Sequence, residues 1–273
     1  MNAGYSKNPK LGVRAASKVY RTASGDLLAL DHCTFDIHAN EIVSIVGPSG
    51  CGKTTLLWSM SGLHALTSGE IVLDGRRITG PHPDIGIVFQ DANLLPWRNL
   101  DANINFPFEI KGEKPDTAWI AHLLHRVGLD GFGGKFPREL SGGMQQRAAI
   151  VRALALKPSV LLMDEPFGAL DSFTRDEMNR LVEEIWLDAP TTIVFITHSI
   201  EEAIFLSDRV IVLTARPGCV AREYRVPFER PRSMEIMATK EVFDLTNAIK
   251  MDIIGERTSR KAPSRQQDAV ITI

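Results

Sequence analysis

The chain has 273 residues, of which 44% are hydrophobic and 23% charged, and its formal net charge is −2. These values are ordinary for one large globular domain or a core with a subdomain, and the charge argues against nucleic-acid binding by bulk electrostatics. Cys33, Cys51 and Cys219 form no CxxC pair, which argues against a disulfide framework or a zinc site.

No apolar run approaches the roughly 20 residues that span a bilayer, and Met1–Lys10 lacks the apolar middle of a signal peptide. We therefore expect a cytoplasmic protein that works at a membrane only by holding another subunit.

The N-terminal part of the chain alternates polar and apolar residues over Leu11–Ile37, which predicts antiparallel strands. Beyond it, short apolar and β-branched runs recur. Several of them are apolar throughout, as in strands that are covered on both faces. The runs are Ile42–Val46, Ile71–Leu73, Ile85–Phe89, Val160–Met163, Ile193–Thr197 and Val210–Leu213.

Helical patterns lie between some of these runs. Thr54–Ser61 follows the first run, and Thr174–Leu187 has one apolar face. Ser199 begins another helix, and Glu202 three residues later predicts a capping box. Strands and helices in alternation predict a doubly wound, mainly parallel α/β sheet.

Two regions depart from this alternation. Residues from about 91 to 157 contain no convincing buried strand, and Thr117–Val127 and Ser141–Leu156 indicate helices of an inserted helical subdomain. Near the C-terminus, Ser233–Ile253 has an amphipathic helical pattern. The tail after Glu256 is polar, and we expect it to be loose.

One loop has the spacing of a phosphate-binding motif, G-x-x-x-x-G-K-[ST]. Glycines let the backbone wrap the phosphates with its N–H groups pointing inward, and the following helix adds its partial positive charge. Lys53 is predicted to reach the β- and γ-phosphates, and the Thr54 hydroxyl to bind Mg²⁺. A glycine-rich turn that only joins strand to helix is the alternative. The motif reads Gly47-Pro48-Ser49-Gly50-Cys51-Gly52-Lys53-Thr54, and Thr55 beside it is a further candidate ATP contact.

Two carboxylates, Asp164 and Glu165, follow the apolar run that begins at Val160. A parallel strand delivers them to the carboxyl edge of the sheet, where ligands bind in such folds. Asp164 is then expected to hold Mg²⁺ and Glu165 to act as a general base on water. The alternative is a strand that ends in solvated acids.

The segment Leu140–Arg147, with the sequence LSGGMQQR, closely resembles the signature of ABC ATPases. Gln90 resembles their Q-loop glutamine, Gly168–Asp171 their D-loop, and His198 their switch histidine. The resemblance covers roughly residues 11–230. It implies a P-loop ATPase domain over residues 11–232, with an N-terminal antiparallel β subdomain and the inserted helical subdomain, followed by a C-terminal helix and polar tail over 233–273.

The resemblance also implies roles for individual residues. Tyr20 would lie against adenine, Gln90 would contact the γ-phosphate and Mg²⁺, and His198 the γ-phosphate. The signature residues of one subunit would cover ATP held by another, in a head-to-tail dimer. Without the resemblance, Tyr20 would be a half-buried aromatic residue in a strand and Gln90 the end of a strand. His198 would be a polar residue that caps a strand, and Ser141 a plain helix cap. The signature residues concerned are Ser141, Gly142, Gly143 and Gln145.

Departures from the family pattern are small. Met144 stands where a polar residue is common, and Ser199 where an aspartate is common, but neither replaces a group needed for chemistry. The segment Asp91–Trp97 is similar to the ATP-binding subunits of bacterial importers for nitrate, taurine and aliphatic sulfonates. So are Arg216–Gly218 and Pro227–Arg232. Residues 94 to 97 either line a groove for a membrane subunit or pack inside the helical subdomain.

The resemblance implies an ATPase subunit of a bacterial importer that uses ATP and Mg²⁺. Its partners would be a second ATP-binding subunit, transmembrane permease subunits and, indirectly, a periplasmic solute-binding protein, and not nucleic acid. It would lie at the cytoplasmic face of the inner membrane. The alternatives are a soluble ABC ATPase that acts on nucleic acid or ribosomes, and an ATP sensor without transport.

Overall fold

The computed structural model of the protein describes residues 8–23 and 25–259, the side chains of residues 256–259 excepted. The strands are β1 (Leu11–Thr22), β2 (Gly25–Ile37), β3 (Ile42–Val46), β4 (Ser68–Leu73), β5 (Arg76–Arg77), β6 (Ile85–Val88), β7 (Val160–Asp164), β8 (Thr192–Ile196), β9 (Arg209–Leu213) and β10 (Val220–Arg225). The helices are α1 (Lys53–Met60), α2 (Leu100–Lys111), α3 (Thr117–Arg126), α4 (Gly142–Ala155), α5 (Ser172–Asp188), α6 (Ile200–Leu206), α7 (Met234–Met237) and α8 (Lys240–Ser259).

Six strands form the central sheet, in the order β10-β9-β3-β8-β7-β6. All neighbouring pairs are parallel except β10 with β9. Every residue of β3, β7 and β8 is buried, because helices or the second sheet cover both faces of these strands. The predicted doubly wound, mainly parallel sheet is therefore confirmed.

The second sheet is antiparallel and four-stranded, in the order β2-β1-β4-β5. It confirms the antiparallel strands expected over Leu11–Ile37. The run Ile71–Leu73 belongs to this sheet, where Leu73 pairs with Leu11, and not to the parallel one. Its burial explains the difference, because Ile71 and Leu73 are buried whereas Val72 between them is only half-buried. That alternation is typical of a strand with one covered face.

The inserted region is helical, as expected, but it contains a helix that the sequence pattern did not reveal. In α2, the Asn99 side chain accepts a hydrogen bond from Ala102 N and begins the helix, and Gly112 in a left-handed conformation ends it. Pro107 inside α2 obscures the pattern, since proline is typical of helix starts and not of helix interiors. The predicted helices at 117–127 and 141–156 are observed as α3 and α4.

The C-terminal region forms two helices, α7 and α8, where a single pattern over Ser233–Ile253 was predicted. Val242 and Ile249 of α8 are buried against α6 and β9, so the predicted apolar face is confirmed. Residues 257–259 continue α8, and the expectation of a loose tail directly after Glu256 is wrong there. Residues 260–273 lie outside the described part of the chain. None of the helices in that described part is long and apolar enough to span a membrane.

The two faces of the central sheet are covered differently. Val43 and Ile45 of β3 pack with Leu57 of α1 and with the antiparallel sheet. Val210 and Val212 of β9 pack on the other face with α6 and α8. A cleft at the carboxyl edge of the strands therefore has the antiparallel sheet on one side and the C-terminal helix on the other.

Candidate active site

The phosphate loop joins β3 to α1 at the carboxyl edge of the central sheet. Gly50 and Gly52 have φ of +73° and +100°, a region that side chains disfavour. A Cβ on Gly52 would stand 2.8 Å from Ala29 O, and one on Gly47 would stand 2.9 Å from Leu213 O. The glycine spacing is thus required by the close approach of neighbouring backbone.

Lys53 opens α1 and is 7% exposed. Its Nζ donates hydrogen bonds to Gly47 O at 3.0 Å and Pro48 O at 3.2 Å. These bonds hold the ammonium group over the loop, at the positive end of the helix. The arrangement concentrates positive charge where the loop's N–H groups would receive an anion.

Asp164 ends β7 beside this loop. Thr54 Oγ1 donates to Asp164 Oδ1 at 3.2 Å, so two predicted magnesium ligands are adjacent. Burial raises the pKa of Asp164, and the Thr54 hydrogen bond opposes that rise. Burial disfavours an unpaired charge on the Asp164 carboxylate, and a bound cation would compensate that charge.

Glu165 adopts a left-handed backbone with φ of +44°, a conformation that is uncommon for a residue with a side chain and frequent at functional sites. Its N–H donates to Ile196 O at 2.9 Å. Glu165 Oε2 lies 3.0 Å from His198 Nδ1. The structure therefore brings the two predicted catalytic residues together at the ends of neighbouring strands.

His198 follows β8 and its side chain is 59% exposed. When its Nδ1 donates to Glu165, Nε2 is free to act as an acceptor in the neutral ring and as a donor in the protonated ring. Ser199 Oγ accepts from Glu202 N at 3.2 Å, as predicted for a helix cap. The other half of the predicted capping box, in which the Glu202 carboxylate accepts from the backbone N–H of Ser199, is wrong. The buried Glu202 carboxylate instead accepts from Thr197 Oγ1 and pairs with Arg175 Nε at 3.2 Å.

A cleft of about 800 Å³ opens over the phosphate loop. Tyr20 lies at its edge, with its hydroxyl 3.4 Å from Thr55 Oγ1 and 3.0 Å from His64 Nδ1. The Lys18 ammonium lies 5.1 Å from the Tyr20 ring centroid, over the ring. The predicted residues that line the cleft are Tyr20, Gly47, Ser49, Gly50, Gly52, Lys53, Thr54, Thr55, Glu165 and His198.

Two residues of the predicted motif turn away from this cleft. Pro48 is buried and Cys51 is 1% exposed, and neither side chain lines the cleft. The side chains of these two residues are therefore not placed to contact a ligand in the cleft. Gln90 is exposed and its Nε2 lies 3.6 Å from where a Cβ on Gly168 would stand. Glu165 Oε2 is 3.7 Å from the same point, so the Gln90 amide and the Glu165 carboxylate both lie near Gly168.

The signature residues lie outside the cleft of their own chain. Ser141 caps α4, and its Oγ accepts from Met144 N at 3.3 Å. Gly142 and Gly143 form the first turn of α4. Gln145 Nε2 donates to Pro137 O at 3.0 Å and Leu140 O at 3.1 Å, so this amide holds the preceding turn. Within one chain, the signature and the phosphate loop are separate.

Residues 94 to 97 divide between the two predicted alternatives, packing inside the helical subdomain and exposure at the surface. Leu94 packs against the core of the helical region and Leu95 is half-buried. Pro96 and Trp97 are exposed, with 71% of Trp97 accessible to solvent. Leu94 is therefore held in the helical region, whereas Pro96 and Trp97 remain accessible to a partner.

Several residues that line the cleft were not predicted from the sequence to belong to this site. Arg216 belongs to a segment noted only for its similarity to an importer group, yet its Nε donates to Gly50 O at 3.1 Å. The others come from β2, α6 and α8. They are Leu27, Ala29, Ile200, Lys250, Ile253 and Ile254. No local signal marks them, because only the tertiary fold brings them to the phosphate loop.

Comparison with known proteins identifies the family. The model of the family described as "ABC transporter" matches residues 30–168, slightly more than half of the chain. The chain belongs to this family. Its ATP-binding relatives include the taurine import ATP-binding protein TauB of Roseobacter denitrificans, 47% identical over 223 residues that cover 80% of this chain and 82% of that protein. The nitrate import ATP-binding protein NrtD of Synechocystis sp. is 42% identical over 258 residues, covering 91% and 96%.

A solved structure of an ABC cassette has the same fold. It is the dimeric post-hydrolysis state of an ATP-binding cassette with ADP and Pi bound. It is 32% identical to this chain, with a TM-score of 0.70, and it covers 80% of this chain and 100% of its own. The P-loop ABC ATPase fold that the sequence predicted is therefore confirmed.

Proposed function

We propose that the chain is the ATP-binding and ATP-hydrolysing subunit of a bacterial importer that takes up a small solute such as nitrate, a sulfonate or taurine. One observation carries the ATPase part. Lys53, the Thr54–Asp164 contact and the Glu165–His198 contact converge on one cleft. The importer part is supported by the relatives named for taurine and nitrate import.

The triphosphate of ATP is bound by the phosphate loop. Backbone N–H groups between Gly47 and Thr55 and the Lys53 ammonium surround the β- and γ-phosphates. Tyr20, at the edge of the cleft, offers its ring to adenine. The lysine's two carbonyl hydrogen bonds hold it in place before the nucleotide arrives, so little side-chain entropy is lost on binding.

The residues beside the phosphate loop fit Mg²⁺. A hydroxyl and a carboxylate, Thr54 and Asp164, are adjacent, and oxygen ligands of this kind are those that Mg²⁺ prefers. Gln90, whose amide lies near Gly168 as the Glu165 carboxylate does, is a third candidate ligand. Bound there, Mg²⁺ would offset the negative charge of the transferred phosphoryl group.

Glu165 acts as the general base for hydrolysis. It accepts a proton from water while the water oxygen bonds to the γ-phosphorus and the bond to the β–γ bridging oxygen breaks, leaving ADP and phosphate. The His198 Nδ1 contact orients the carboxylate, and the exposed Nε2 is directed to the γ-phosphate. Lys53 stabilises the charge that develops on the phosphoryl oxygens.

Two chains complete each site. The residues Ser141 to Gly143 begin α4 away from their own cleft. In a head-to-tail dimer, the N–H groups of this helix start cover the γ-phosphate held by the partner, while Gln145 holds the turn in shape. The solved dimeric cassette with ADP and Pi supports the formation of a dimer.

The other partners follow from the same proposal. Pro96 and Trp97 contact a coupling segment of the transmembrane permease, and a periplasmic solute-binding protein delivers the solute to that permease. The chain lies at the cytoplasmic face of the inner membrane and binds no nucleic acid. ATP closes the dimer, closure moves the permease through the loop around Trp97, and hydrolysis reopens it.

The test is ATPase activity of the chain reconstituted with its permease. We expect wild-type hydrolysis that rises when solute and its binding protein are added, and its abolition in Lys53→Ala. Lys111→Ala, an exposed lysine at the end of α2, is the matched control. Retention of ATP binding and turnover by Lys53→Ala would contradict the role of the loop. Copurification with nucleic acid or ribosomes instead of a permease would contradict the importer role.

A further inference from the structure

Helix α8 reaches the nucleotide cleft, although the family model ends at residue 168 and the role of this helix is unassigned. Lys250, Ile253 and Ile254 line the cleft together with the phosphate loop. Residues three and four positions apart on a helix share one face, so these three side chains form a single stripe. The C-terminal helix is thus one wall of the cleft, opposite Tyr20 and β2.

Two kinds of contact fix the helix in this position. Val242 and Ile249 are 3% and 0% exposed and pack on α6 and β9. Tyr224 of β10 donates from its hydroxyl to Asp252 Oδ2 at 2.6 Å, and Arg222 lies 3.4 Å from the same carboxylate. Lys250 lies between Ile249, which is buried, and Asp252, which is hydrogen-bonded to Tyr224. Its position beside the cleft is therefore set by contacts on both sides.

The charge of Lys250 suits a polyanion. Among the described ion pairs none involves Lys250, whereas Lys240 at the start of the same helix lies 3.6 Å from Asp244. Lys250, Lys53 and Arg216 together place three cations around one cleft. An exposed cation of this kind attracts a bound anion, and salt weakens that attraction by screening it.

We propose that α8 is the outer wall of the nucleotide site and that Lys250 is an ATP-binding residue. This inference rests on the proposed function. Lys250 strengthens binding of the triphosphate from the side that the phosphate loop leaves open, and Ile253 and Ile254 exclude water along the same edge. Nucleotide affinity in this chain therefore depends on the C-terminal helix as well as on the ATPase core.

The test compares Lys250→Gln with Lys240→Gln in the full-length chain, by mant-ATP binding and by steady-state hydrolysis at low and high salt. We expect Lys250→Gln to raise Kd and KM about two- to fivefold, the effect of one exposed ion pair, and to change kcat less than KM. The increase should shrink at high salt, which loss of packing would not cause. Lys240→Gln should match wild type.

A second variant tests the wall itself. Tyr224→Phe removes the hydrogen bond to Asp252 while Lys250 remains, and we expect a smaller rise in KM that high salt does not abolish. An unchanged Kd for Lys250→Gln at low salt, or an equal rise for Lys240→Gln, would overturn the inference while wild-type hydrolysis leaves the proposed function intact. Failure of wild type to bind mant-ATP would overturn both.

Discussion

At the scale of single residues, the proposed chemistry depends on how Glu165 is held. Its left-handed backbone follows a fully buried strand, and its N–H is bonded to Ile196 O of the neighbouring strand. The carboxylate then meets His198 without further adjustment. Strain of this kind persists only where the surrounding structure enforces it, and here β7 and β8 enforce it. The carboxylate of Glu165, the proposed base, is consequently positioned by the sheet and contacted by the imidazole.

This geometry predicts the effect of removing the imidazole. His198→Ala should lower kcat by at least about tenfold, because Glu165 loses its orienting partner and the γ-phosphate loses a contact. The affinity for mant-ATP should change less, since the phosphate loop is untouched. His122→Ala, on the surface of α3, is the control, and steady-state hydrolysis is the measurement. A wild-type kcat in His198→Ala would contradict the assignment.

Thiol reactivity is a second prediction at this scale. Burial raises the pKa of Cys33 to about 12, so only about one thiol in ten thousand is ionised at pH 8. The thiolate is the reactive form, and native Cys33 should resist iodoacetamide until the pH approaches that pKa. Burial also raises the pKa of Cys51. Mass spectrometry after labelling at pH 8 should find half-buried Cys219 modified first, and equal labelling of Cys33 in folded protein would be a contradiction.

Sequence patterns could identify the residues whose spacing the chemistry itself imposes. Lys53 follows the loop after β3 and Asp164 ends β7, so the sequence predicts both their chemistry and their place at the sheet edge. Arg216 and Lys250 could not be identified as cleft residues, because only tertiary packing brings them to the cleft. The capping box at Ser199 failed for a related reason, since Glu202 is drawn into the core by Arg175 and Thr197.

At the scale of elements, α2 organises the loop that presents Trp97. Asn103 is fully buried in α2. Its Nδ2 donates to the carbonyls of Leu95, Arg98 and Asn99, and its Oδ1 accepts from Leu95 N at 2.7 Å. One side chain thus contacts four backbone groups at the start of α2 and in the loop before it, with its two amide hydrogens shared among the three carbonyls. Because these bonds depend on a helix with an internal proline, neither α2 nor the loop conformation was predictable from periodicity.

Loss of that side chain should destabilise the fold. Asn103→Ala leaves buried backbone groups without partners, and we expect the free energy of unfolding to fall by about 1–3 kcal/mol. Trp97→Ala removes an exposed side chain and should change it by less than about 0.5 kcal/mol. Urea unfolding of both variants measures this difference. Equal destabilisation by the two substitutions would show that Asn103 does not hold the loop.

The C-terminal end of α6 depends on another buried side chain. Arg232 is 4% exposed and its guanidinium donates to the carbonyls of Ile204, Phe205 and Ser207 at 2.7–2.8 Å. Burial lowers the pKa of Arg232 to about 10, so the group stays charged at neutral pH and opposes the negative end of the helix.

Arg232→Met should therefore cost about 2–4 kcal/mol of unfolding free energy, because several buried carbonyls lose their donor. Arg225→Met, on exposed β10, is the matched control and should be nearly neutral. Chemical denaturation of the two variants at pH 7 gives the comparison. A neutral effect of Arg232→Met would mean that water replaces the lost donor and that the helix end is not enclosed.

At the scale of the whole molecule, the catalytic groups and the signature occupy separate places. The central sheet brings the ends of β3, β7 and β8 to one edge, which the alternation of strands and helices predicted. The signature begins α4 in the inserted helical region, outside that cleft. In the proposed head-to-tail dimer, each site therefore takes its phosphate loop from one chain and its signature from the other.

ATP-dependent dimerisation of Glu165→Gln tests this account most directly. With the base removed and binding groups intact, ATP should remain bound and hold two chains together. Analytical ultracentrifugation should find twice the monomer mass with ATP and the monomer with ADP, and hydrolysis should be abolished. A Glu165→Gln chain that stays monomeric with ATP, or that hydrolyses ATP at the wild-type rate, would contradict the account.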